Sequence, residues 1–123
     1  MNIIISNTSE KPIYQQLFEQ ISAQILKGEL ENGYNLPPIR QAAKELQISI
    51  ITVKKALEEL ERSGLIYTVT GKGCYVADLS QIEIMQKREE ILMKQMDKDM
   101  AYYKSYGLTM EETVELLKKV YYK

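Results

Sequence analysis

The strongest constraint on the fold of this chain is a change of hydrophobic period in its middle third. Ile39, Ala42, Ala43 and Leu46 recur at i, i+3, i+4 and i+7, and Val53, Ala56, Leu57 and Leu60 repeat that spacing. Pro38 opens the first of these two short helices, and Gln47-Ile48 makes the break between them. Ser49 is suited to cap the second, because its hydroxyl can accept from an otherwise unpaired first-turn amide. Ser63-Gly64 stops it. The period then becomes two. Leu65-Ile66-Tyr67-Thr68-Val69 and Cys74-Tyr75-Val76 are rich in β-branched and aromatic residues, and they flank a hairpin tip, Thr70-Gly71-Lys72-Gly73.

A further helix precedes this unit. It starts at Pro12, carries Tyr14, Leu17, Phe18, Ile21 and Ile25 on one stripe, and ends at Gly28. Glu31-Asn32-Gly33-Tyr34 reads as a turn, since Asn-Gly tolerates positive φ. Three helices, the last two in helix-turn-helix spacing, followed by a hairpin make a winged helix-turn-helix. The expected fold class is therefore mainly α with a small β-hairpin.

The remainder reads as two helices. Ser80 with Glu83 and Thr109 with Glu112 form capping-box patterns. The first opens a long helix bearing Ile84, Met85, Ile91, Leu92, Met96, Met100 and Tyr103, closed near Gly107. A helix over 81–106 would be about 39 Å long at 1.5 Å per residue. The second opens a shorter helix bearing Met110, Val114, Leu117 and Tyr121. The long stripe is wider than one short helix can cover, so a second copy of the chain is the expected partner. The expected organisation is a winged domain over 1–77 and a two-helix dimerisation tail over 78–123.

Composition narrows the chemistry. The 123 residues contain no histidine and one cysteine, Cys74. That removes the commonest metal ligand and general base, and it excludes an internal disulfide. No nucleophile has a base partner in view, so neither catalysis nor a cofactor or metal is expected. Cys74 reads as a small strand hydrophobe. No apolar run approaches the ~20 residues of a membrane span, and the start lacks a secretory pattern, so the expected location is the cytoplasm.

The net charge is −1, which argues weakly against a nucleic-acid partner. Its distribution says more. Residues 36–76 carry Arg40, Lys44, Lys54, Lys55, Arg62 and Lys72 against Glu45, Glu58, Glu59 and Glu61, and are the one net basic third. The acids there fall mostly at 58–61, which favours a restricted basic face.

These residues resemble a known family. Pro12-Ile13-Tyr14, Gly28-Glu29-Leu30, Gly33 and Leu36-Pro37 look like the start of the DNA-binding domain of GntR-family bacterial regulators. Arg40, Ala43, Leu46, Ser49, Thr52-Val53, Ala56, Leu60-Glu61, Gly64-Leu65-Ile66 and Gly71-Lys72-Gly73-Cys74-Tyr75-Val76 continue the likeness, which covers about residues 11–77. The short helical tail resembles that of the YtrA subfamily, where two helices serve dimerisation.

The resemblance implies site residues and a function. Arg40 would reach a base edge or phosphate. Ser49, Ile50, Ile51, Thr52, Lys54 and Lys55 would belong to the recognition helix, whose first turns face bases. Thr70, Gly71 and Lys72 would carry the wing toward the minor groove. Relatives often have arginine where this chain has Ile50, which removes a bidentate guanine contact.

Taken singly, each of these residues is an ordinary surface residue; their joint placement on one frame carries the reading. The expected function is a sequence-specific DNA-binding regulator, a repressor acting on a palindromic operator as a homodimer. The alternative is a protein–protein interaction module on a winged helix that no longer binds DNA. Its tail is too small to enclose the ~300–1,000 Å³ of a small-molecule pocket, so any effector is left unassigned.

Overall fold

A computed structural model describes residues 1–123. The elements run α1 (Ile13–Leu26), α2 (Ile39–Leu46), α3 (Ile50–Arg62), β1 (Ile66–Val69), β2 (Gly73–Val76), α4 (Gln81–Ser105) and α5 (Met110–Tyr121). The chain divides into two compact units, Met1–Ile84 and Met85–Lys123.

The first unit is the expected winged helix-turn-helix. Ser49 is the N-cap of α3 as expected, and Pro12 and Pro38 are the N-caps of α1 and α2, one residue ahead of the first helical position expected of them. The Ser49 hydroxyl accepts the Thr52 amide at 3.0 Å, satisfying one of the four amides a helix start leaves unpaired. Helices α1 and α2 both pack on α3, which also meets β1. Leu17, Ile21 and Ile25 of α1, Ala42 and Ala43 of α2, and Val53, Ala56, Leu57 and Leu60 of α3 form the core. Leu65, Ile66, Val76 and Leu79 close it from the hairpin side.

Between α2 and α3 the chain turns over Gln47, Ile48 and Ser49, with one left-handed residue. Gln47 takes left-handed angles, φ 57 and ψ 45, which place a Cβ close to the following carbonyl. Glycine carries no such penalty, although it has more backbone entropy to lose on folding. Gln47→Gly is therefore expected to stabilise the protein by about 0.5–1 kcal/mol, read as a higher melting temperature. An unchanged or lower melting temperature would show that the Gln47 side chain holds the turn.

Strands β1 and β2 pair antiparallel with Ile66 opposite Val76 and Val69 opposite Gly73. A third edge, not expected from the sequence, comes from the segment before α2. The Leu36 amide donates to the Cys74 carbonyl and the Val76 amide to the Tyr34 carbonyl, both at 2.9 Å, with Asn35 bridging Tyr75. This ties the wing to the entry of the helix-turn-helix. Gly73 is needed at the crossing: its φ is 126, and a Cβ there would lie 3.3 Å from Asn35 Oδ1.

The N-terminal residues are also held. Gln16, Gln20 and Gln24 stand one helical turn apart on α1. The Gln16 amide exchanges both hydrogen bonds with the backbone of Ser6 (2.8 and 2.9 Å), and Gln20 does the same with Ile4 (2.8 and 2.6 Å). Gln24 donates to the Asn2 carbonyl at 2.6 Å. Three glutamines thus grip alternate residues of an extended segment.

Both capping boxes form. Ser80 and Glu83 exchange their bonds at 3.1 and 3.2 Å, and Thr109 and Glu112 at 3.0 and 3.2 Å. No residue of α4 or α5 is buried. Met85, Leu92, Met96 and Tyr103 are exposed and Ile84, Ile91 and Met100 only half-buried, so the stripe lacks a cover within one chain. No helix is long and apolar enough to cross a membrane.

Candidate nucleic-acid interface

Helix α3 is divided along its length. Its buried stripe faces α1 and α2, and the opposite side is exposed. Its first turn carries no acid, and its basic residues Lys54 and Lys55 come before Glu58, Glu59 and Glu61. Arg62, the remaining base, forms an ion pair with Glu59. The positive end of the helix dipole adds to the bias, so the N-terminal half attracts phosphate and the C-terminal half repels it.

The cations of the site differ in what they already touch. Lys55 places its ammonium 3.9 Å from the Tyr14 ring centroid, a cation–π contact that directs it toward α1. Arg40 on α2, Lys54 on α3 and Lys72 on the wing are exposed and engage no acidic partner. Ion pairs elsewhere absorb Lys11 with Glu19 and Lys27 with Glu29. Within Met1–Ile84 the side-chain cations without an acidic partner therefore all lie on the helix-turn-helix and wing.

The polar groups at the start of α3 serve the helix itself. Ser49 and Thr52 hydroxyls lie 2.7 Å apart, and Ser49 also accepts the Thr52 amide. Ile50 and Ile51 project beside them, 42% and 78% exposed. Thr70, Gly71 and Lys72 form the hairpin tip, all exposed, with Gly71 at φ 78 and the Lys72 amide donating to the Val69 carbonyl at 2.9 Å. That turn holds the Lys72 stem at the outer end of the wing.

Sequence reasoning missed Tyr14 as the partner of Lys55 and Asn35 as the neighbour that would crowd a side chain at Gly73. An aromatic at the start of one helix and a lysine on another give no local signal of contact. The Tyr67 and Tyr75 rings, stacked at 5.7 Å across the hairpin, follow the strand alternation and were legible as cross-strand neighbours only once the register was known.

Residues 13–76 match the family model described as bacterial regulatory proteins, gntR family. The chain is 30% identical over 118 residues to the HTH-type transcriptional repressor YtrA of Bacillus subtilis, covering 96% of this chain and 91% of that protein. A GntR family transcriptional regulator from Listeria monocytogenes superposes with a TM-score of 0.73 at 30% identity, covering 90% of this chain and 96% of that one. The AraR DNA-binding domain, solved in complex with operator ORR3, superposes with a TM-score of 0.53 at 28% identity, over 63% of this chain and 93% of that one.

Proposed function

This chain belongs to the gntR family of bacterial regulatory proteins, in the YtrA subfamily, and from that premise we propose that it represses transcription by binding a palindromic operator as a homodimer. It is a DNA-binding transcriptional regulator. The observation that carries the fuller reading is the grouping of Arg40, Lys54 and Lys72, exposed and without acidic partners, on one helix-turn-helix and wing. Such a surface positions itself by phosphate contacts and reads bases with the first turns of α3.

In this reading Arg40, Ser49, Ile50, Ile51, Thr52, Lys54, Lys55, Thr70, Gly71 and Lys72 make up the DNA-facing surface. Residues 1–77 are the reading head, residues 78–123 the dimerisation tail, and the protein works in the cytoplasm. The pairing of two heads follows from affinity: one small domain makes few phosphate contacts, and a second copy doubles them.

The test is fluorescence polarisation of duplexes from the DNA upstream of its own gene, with random duplex as competitor. A specific complex at least about a thousandfold tighter than random binding is expected, the usual lower bound for a specific site. Equal binding to both duplexes would leave the winged helix as an interaction module instead.

A further inference from the structure

We propose that Ile50 and Ile51 make the first turn of α3 a reader of thymine methyl groups, so that each operator half-site carries thymine where this turn meets the major groove. The inference rests on the DNA-binding reading and adds the base that it selects.

The order of charge along α3 decides which of its turns can approach DNA. Glu58, Glu59 and Glu61 keep the C-terminal half away from phosphate, so the helix approaches DNA by its N-terminal turn. There the hydroxyls of Ser49 and Thr52 face each other at 2.7 Å, and Ser49 also caps the Thr52 amide. These two bonds engage one of the two hydroxyl protons and hold both side chains against the helix start, leaving a single O–H donor between them for a base edge. Lys54 lies three to four residues further on, about 5 Å along the axis, where a cation meets backbone phosphate more readily than a base edge. Lys55 is drawn to Tyr14. Beside that one donor, the leading tip presents two exposed isoleucines.

A single exposed isoleucine on a protein surface needs no explanation. Two consecutive β-branched residues, 42% and 78% exposed at the tip of a DNA-facing helix, do. Base edges in the major groove offer hydrogen-bonding groups at every pair and one apolar group, the C5-methyl of thymine. Isoleucine satisfies none of the polar groups and buries that methyl. It also selects by exclusion: set against guanine O6 and N7, it strips water from two acceptors and returns no donor.

The experiment uses the full chain. High-affinity duplexes are selected from a randomised pool, and individual thymines are then replaced by uracil, which removes the methyl and keeps every hydrogen-bonding group. Loss of one buried methyl is expected to weaken binding about fourfold, at one or two positions in each half-site. In Ile50→Ala and Ile51→Ala the penalty for uracil should shrink toward none at the matching position.

Selected sites without thymine there, or indifference of the native protein to uracil, would overturn the proposal and leave the regulator reading standing. Equal uracil sensitivity in both alanine variants would also overturn it, because another group would be reading the methyl. A pool yielding no preferred sequence would overturn the operator-binding reading together with this one.

Discussion

Leu92→Asp is expected to turn the protein into a monomer without unfolding it, and to weaken operator binding by on the order of a hundredfold or more, the scale by which linking two binding modules exceeds one. Leu92 is 55% exposed in the single chain, so an aspartate there is solvated in the monomer and disturbs no core. In a dimer joined along Ile84, Met85, Ile91, Leu92, Met96, Met100 and Tyr103 the same carboxylate would be buried without a partner, which is costly enough to favour separation. Sedimentation velocity reads the assembly and circular dichroism the fold. A chain ending at Ile84 should behave alike, since Leu79, a core residue, is retained. The salt dependence gives an independent check. Halving the number of neutralised phosphates halves the slope of log K against log salt. A dimeric Leu92→Asp with native operator affinity would remove the tail stripe from the interface.

How much of this was legible in the sequence depends on the range of the interaction. Helix starts are local: a proline or serine next to an apolar stripe is sufficient, and Pro12, Pro38 and Ser49 stand where the structure begins its helices. The same holds for the capping boxes at Ser80 and Thr109, each closed within four residues. The third edge of the wing was not legible, because one bridged residue before Pro37 shows no alternation. Nor was the glutamine ladder. The partners of Gln16, Gln20 and Gln24 are backbone groups of Ser6, Ile4 and Asn2, which carry no side-chain signature.

The candidate site divides in the same way. The places of Arg40, Ile50, Ile51, Lys54 and Lys72 on the frame follow from period and spacing. Side-chain engagement does not. Lys54 and Lys55 are equivalent in sequence, yet one is unengaged and the other lies over Tyr14. The tail shows the complementary case: its apolar stripe, wider than one short helix can cover, was readable from spacing, and it is exposed within one chain.

Arg40 and Lys72 are expected to fail in different ways when truncated, and the difference separates reading bases from holding the backbone. Arg40 is the second residue of α2, exposed, on the helix that leads into the α2–α3 turn. Its planar fork suits a bidentate contact to a base edge. Arg40→Ala is expected to weaken operator binding by roughly 1–3 kcal/mol and to relax preference at one base position. Lys72 stands at the end of a hairpin whose tip is fixed by the bond from its amide to the Val69 carbonyl. A compact charge on a flexible stem meets phosphate with little regard to sequence. Lys72→Ala should therefore weaken operator and scrambled duplex alike, and lower the salt slope by about one unit for each protomer bound. Neither variant should lose much thermal stability, because both side chains are exposed and without partners. Isotherms on both duplexes at several salt concentrations distinguish the two roles. Unchanged operator affinity in both variants would take this face out of DNA recognition, since no other exposed surface of the first unit gathers cations free of acidic partners.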